Sequence, residues 1–336
     1  MNEKTEVLSS GPVAPELRIG MDLITFFNAD FWGLESYKAL RKPGSIPPEV
    51  FWDKTLDVLE STGIAGVELT AGVGSYHSAL ARYGSVDQFS AALADRGLVM
   101  CSGFYPGLVY DSTGTMDSSG LLWRQPGRQK EILDEVADYA DFIAGAGSQT
   151  MVMGLPLRRS WNDALPAFID LEFASALSDL INRMGQVCLS RGVRLAMHTE
   201  TRSSFWLRRD IDLFLTLTDP VYVDFCPDTA HIAMGGTNPS DVLRDHYARV
   251  TATHWKDTFG PVAKDAEITE ETRASLQSMY ARVGKGIIDW HEWTRTLRES
   301  QYSGWAIIEL DATPDPGGEL SEARAYVETL SRRIYG

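Results

Sequence analysis

The chain has 336 residues, 44% hydrophobic and 10% aromatic, and a formal net charge of −15. That is enough apolar material for a large core, and a field of that sign repels phosphate backbones and anionic lipid, which excludes nucleic acid and membrane surfaces as partners and favours neutral molecules. Three scattered cysteines without CxxC spacing exclude a disulfide framework or a zinc knuckle, and no run reaches the length of a bilayer span, so a reducing, cytoplasmic setting is expected.

Residues 1–16 are polar and read as a flexible leader without a signal-peptide core. An apolar run, RIGMDLITF, follows from Arg18. A pattern then recurs: a helical stretch ends in a glycine-bearing turn and a short apolar run comes next. It occurs in LDVLESTGIAGVELT, FSAALADRGLVMCSG, IAGAGSQTMVMGL, CLSRGVRLAMHTE and LRESQYSGWAIIELD. Glycine just past a helix supplies a left-handed stop, and the run after it reads as a strand buried on both faces. With VYVDFC and VTATHWKD the candidate strands number eight, and helical patterns over 128–144, 174–191 and 321–333 lie between some of them. This predicts an α/β protein with a single-domain (β/α)8 TIM barrel over residues 17–336. An open doubly wound sheet competes, but no GxGxxG follows the first strand.

Barrel active sites lie at the C-terminal ends of the strands, and there the late runs turn polar. Strand five ends in His198, Thr199 and Glu200; strand six leads to Asp228 and His231; strand seven to His254, Lys256 and Asp257; strand eight to Glu309 and Asp311. Residues two apart share a face, so His198 with Glu200, His254 with Lys256, and Glu309 with Asp311 can aim into one mouth. Converging carboxylates and imidazoles are costly to bury unpaired, and one divalent cation would neutralise them; the donor types suit Mn²⁺, with Mg²⁺, Co²⁺, Fe²⁺ or Zn²⁺ as alternatives. Plainer readings stand beside these. Asp228 could cap the following helix; Lys256 could pair with Asp257 or Asp311; Glu68, ending GVELT, could bind substrate or form a salt bridge; Arg202 could bind substrate hydroxyls or be a solvated loop residue. His77, His246 and His291 lack ligand-type neighbours. Aromatic-rich loops after strands one, three and five (SSFW) suggest sugar faces or an aromatic aglycone, or else core.

The motifs GVELT, RLAMHTETR, CPDTAH, THWKDT, GKGIIDW and WAIIELD resemble the sugar phosphate isomerase/epimerase group, the xylose isomerase-like TIM barrels. The resemblance implies a divalent metal on Asp228, His254 and Glu309, with Glu200 as the strand-five ligand and His198 as base or alternative ligand. His198 stands where the common member carries Glu, a departure that weakens a symmetric two-base epimerase. It is more similar to inosose dehydratase and to the large subunit of C-glycoside deglycosidases. The expectation is a metal-dependent lyase on a keto-sugar or 3-oxo-glycoside, with His198, Lys256 and Glu309 catalytic and Glu68, Arg202, His231 and Asp311 on substrate. A ketose 3-epimerase or sugar isomerase is the alternative, and a non-catalytic barrel subunit a further one. An apurinic endonuclease would need extra zinc histidines and a basic surface. A homo-oligomer, or a complex with a small second subunit, is expected.

Overall fold

The computed structural model describes residues 17–40, 44–109, 117, 120–158, 169–266, 270–311 and 313–335, so the expected leader lies outside the described residues. Eight parallel strands form one sheet: β1 (Arg18–Asp22), β2 (Gly66–Leu69), β3 (Val99–Tyr105), β4 (Thr150–Met153), β5 (Arg194–His198), β6 (Val223–Cys226), β7 (Thr253–Trp255) and β10 (Trp305–Ile308). Two short strands between the last pair, β8 (Asp257–Thr258) and β9 (Tyr280–Ala281), form a separate antiparallel hairpin. The eight run in order β6-β5-β4-β3-β2-β1-β10-β7, and parallel bridges Phe225–Val250 and Asp228–His254 close β6 onto β7. This is the expected TIM barrel.

Alternation along the strands sorts the side chains. On β5, Leu195 and Met197 join the outer core against the helices, while Ala196 belongs to a separate inner cluster. That cluster, Cys101, Val152, Ala196, Cys226, Ala252 and Ile307, is small and fully apolar. It packs the barrel axis and gives the polar residues beyond it a dry floor, as a barrel of eight strands requires.

Helices form where local signals agree. The helix Leu171–Leu189 starts where the Asp170 side chain accepts from the Phe173 N–H (2.7 Å), and it buries Phe173, Leu177, Leu180, Ile181, Met184 and Cys188 along one stripe. The helix Pro48–Thr62 carries proline in its first turn. Gly63, Gly97, Gly147 and Gly192 take the left-handed stop foreseen from the recurring pattern. In the fifth repeat the structure differs: Gln301, with φ 57°, takes that conformation in place of glycine. Gly185 is needed for proximity, since a Cβ there would lie 2.4 Å from the Tyr222 carbonyl oxygen. Among the described residues no helix is long and apolar enough to cross a membrane.

All three cysteines are buried and free. Burial pushes the Cys226 thiol up to about 11 and the Cys188 thiol up to about 12. In an unfolded chain both ionise near about 8.5. Above that pH the unfolded state sheds protons that the folded state keeps, so the stability is full below about 8.5 and drains away as pH rises through the folded values. The thermal midpoint should fall steadily between about pH 9 and 11, and Cys188→Ala should flatten that slope. An unchanged slope in the variant would exclude the thiol as its source.

Candidate active site

Four strand ends converge. His198 ends β5, Asp228 lies just beyond β6, His254 sits in β7, and Glu309 directly follows β10. All four are buried, and one ligand-type atom of each lies within 4.8 Å of those of the others. His254 Nδ1 is 2.8 Å from Glu309 Oε2, and His198 Nε2 is 3.8 Å from Asp228 Oδ2. Donors held about 2.1 Å from one ion at right angles lie about 3 Å apart, so the first pair has the spacing of neighbouring ligands.

Asp228 combines the two roles considered for it. Its Oδ1 caps the helix Thr229–Met234 by accepting from the His231 N–H at 2.8 Å, while Oδ2 is buried without a hydrogen-bond partner. Both ring nitrogens of His198 are likewise buried without one. Orphaned lone pairs in a dry site cost about 1–3 kcal/mol each, and a cation among them removes that cost. Two imidazoles with two carboxylates fit Zn²⁺, Mn²⁺, Fe²⁺ or Co²⁺ better than the oxygen-only preferences of Mg²⁺.

A second tier faces the opening. The buried Lys256 Nζ lies 2.7 Å from Glu309 Oε1 and 2.6 Å from Asp311 Oδ1. Burial alone would lower this ammonium, but Asp311 and Glu309 hold it well above the ordinary lysine value. Burial also pushes the Asp311 carboxyl up to about 7 against the pull of Lys256. Glu309 is held well below the carboxylate range: burial opposes this, and Lys256 and His254 override it. The Glu200 carboxylate sits 3.5 Å from His231 Nε2 and 3.9 Å from His198 Nδ1. Burial, with Asp311 and Glu309 adding to it against Lys256, pushes Glu200 up to about 8. Burial drives His231 down to about 3, so its ring is neutral. Its Nδ1 accepts from the Thr201 N–H (3.2 Å), which leaves the proton on Nε2, facing Glu200.

The expected site residues therefore meet at one mouth, with some redistribution. Glu200 lies outside the four-donor set, and His198 occupies the strand-five position within it. Glu68 is fully buried against His254, with Nε2 to Oε1 at 2.9 Å. Arg202 is not solvated; it is buried with φ 68° and donates to the Thr272 carbonyl. The bridge considered between Lys256 and Asp257 does not form, because consecutive residues point to opposite sides. Asp257 instead accepts from the N–H groups of Thr258, Gly284, Gly286 and Ile288 and from Trp290 Nε1. A Cβ at Gly286 would lie 2.2 Å from that carboxylate. Most of the loop aromatics are core: Phe26, Phe51, Trp52, Phe205 and Trp206 are buried, and Trp206 Nε1 donates to the His231 carbonyl. Phe104, at the end of β3, stands edge-on to His198.

Sequence reasoning missed three groups. Tyr280 of β9 lays its ring 4.1 Å from Lys256 Nζ, and nothing in SMYARV marks it. Asp22 ends β1 and Ser102 lies within β3, both buried. The strand-end rule that found the other acids would have found Asp22.

A closed eight-stranded parallel barrel with an imidazole–carboxylate cluster at its C-terminal mouth defines the class. Residues 56–330 match the family described as xylose isomerase-like TIM barrel, and the chain belongs to it. An inosose dehydratase of Bacillus licheniformis is 29% identical over 168 residues, 48% of this chain and 56% of that protein; the match thus spans little more than half the relative. One from Geobacillus kaustophilus is 26% identical over 226 residues, 64% of this chain and 73% of that protein. The fold is shared with a solved IolI protein carrying a zinc atom (TM-score 0.68, 12% identity, 95% of this chain and 99% of that one). It is also shared with the E. coli 3-keto-D-glucoside 4-epimerase YcjR (TM-score 0.62, 15% identity, 94% of this chain and 100% of that one).

Proposed function

We propose that the chain is a divalent-metal-dependent lyase that removes water from a neutral keto-cyclitol or keto-sugar. The observation that carries this reading is the four-donor cluster with its orphaned lone pairs. His198, Asp228, His254 and Glu309 would hold one ion, and that ion supplies a Lewis acid for a keto oxygen. His198 thereby takes the ligand place first expected for Glu200, and Glu200 the proton-transfer place expected for His198. Ionised Glu200 removes the proton from the carbon beside the carbonyl. Lys256, fixed between Glu309 and Asp311, donates a hydrogen bond to the oxygen on which charge develops. Glu200 then returns its proton to the hydroxyl β to the carbonyl, which leaves as water. Neutral His231 presents Nε2–H to a substrate oxygen.

The formal net charge of −15 disfavours a phosphorylated substrate, which supports a neutral one. Because the loop aromatics are mostly core, support for an aromatic aglycone is lost, and the similarity to inosose dehydratases favours an unsubstituted keto-polyol.

Elemental mass spectrometry should find about one transition-metal ion per chain. In D₂O, a neutral keto-inositol should lose water to an enone, visible by absorbance and NMR. Deuterium exchange without water loss would identify an epimerase. A chain that neither carries nor takes up Mn²⁺, Co²⁺ or Zn²⁺ would end the proposal.

A further inference from the structure

Beneath the four-donor cluster lies a polar row that the chemistry above does not use. Register places Asp22 of β1 beside Glu68 of β2, and Glu68 beside Ser102 of β3, where a bulge between Val67 and Glu68 shifts the pairing. All three are buried and point inward. The Ser102 hydroxyl donates a short hydrogen bond to Glu68 Oε2, while Asp22 Oδ1 accepts from the Ile24 N–H. Across the barrel, Glu68 Oε1 lies 2.9 Å from His254 Nε2, close enough to accept its proton once the two align, and neither atom has a formed hydrogen bond among the described residues.

A neutral imidazole carries one N–H, and only its other nitrogen can bind an ion. His254 stands between two carboxylates, Glu309 at Nδ1 and Glu68 at Nε2. With the proton on Nδ1 it would serve Glu309 and offer the ion nothing. With the proton on Nε2 it serves Glu68 and frees Nδ1 beside Glu309. We propose that Glu68 is a positioning residue for the metal centre: held by Ser102, it accepts the Nε2 proton of His254 and commits Nδ1 as the ligand atom. Such outer carboxylates orient the ring and raise the basicity of its ligating nitrogen. This inference rests on the metal site proposed above. It reassigns Glu68 from a substrate contact to a group that acts through His254.

The same three residues Asp22, Glu68 and His254 could also be read as a second ion site. His254 cannot serve both an ion at Nε2 and a proton there, so stoichiometry separates the two.

Cobalt binding to the full chain tests this, read by chelator competition and by the Co²⁺ visible bands. Wild type should bind one Co²⁺ per chain. Glu68→Gln should bind it about 10–100-fold more weakly, with altered bands, while the metal-free thermal midpoint stays close to wild type. Ser102→Ala, which keeps the carboxylate but removes one of its tethers, should show a smaller loss in the same direction. Glu68→Gln with wild-type affinity and spectrum would overturn the assignment while leaving the metal site standing. If Glu68→Gln does not fold, unchanged affinity in Ser102→Ala overturns it equally. Two Co²⁺ per wild-type chain would replace the positioning role with a second ion. No Co²⁺ at all would remove the proposed function and this inference together.

Discussion

Asp228→Asn is expected to abolish activity and metal binding while leaving the fold intact, and Asp228→Ala to lose both. The reason is the division of labour between the two oxygens. Oδ1 caps a helix, and asparagine caps as well as aspartate does. Oδ2 is the orphaned donor of the cluster, and an amide in its place carries no charge to attract a cation. Loss of the ion removes several kcal/mol of charge stabilisation at the keto oxygen, so turnover should fall by about 10³ or more in both variants. Alanine adds the lost cap, about 1 kcal/mol, or about 2 °C in the thermal midpoint of the metal-free protein. Metal analysis, turnover and melting of the three proteins check this. Metal retained by Asp228→Asn would remove Asp228 from the ligand set.

Lys256→Met is expected to damage stability more than any other single change at the mouth. Its ammonium is the cation for both Glu309 and Asp311; Lys256 and Glu309 are buried and Asp311 is half-buried. Removing one partner from a buried ionic set leaves uncompensated charge, a loss of about 3–5 kcal/mol. Denaturant unfolding of the metal-free variant measures it. Added Zn²⁺ or Mn²⁺ should restore part of the loss, because an ion on Glu309 replaces part of the missing charge. Wild-type stability in the variant would show that the carboxylates find their counter-charge elsewhere. Turnover should fall too, since Lys256 is the donor proposed for the developing oxyanion.

Much of this was readable along the chain. Apolar runs of strand length, three of them ending in a polar pair spaced two apart and one leading to Asp228 and His231, located His198, Asp228, His254, Lys256, Glu309 and Asp311 at one end of one barrel. Glycine past each helix located four of the five turns, and the fifth failed only because Gln301 adopts a conformation for which its residue type gives no signal. The family-type motifs agreed with the fold, because both express the same alternation.

The tertiary structure decided depth. Period-two alternation says which face of a strand a side chain takes, but not how far along the barrel axis it sits. That height depends on the stagger between strands and on bulges, which are set by pairing between residues far apart in sequence. It is why Glu68 lies against His254, why His198 and not Glu200 completes the donor set, and why Asp22 and Ser102 join Glu68 in one row. It is also why Tyr280 reaches Lys256 from a hairpin no local pattern announces, and why aromatics that could have lined a pocket fill the core. Which residues end the strands was written in the local order of the chain; which of them touch was settled by strand register, a property that no local segment of the chain contains.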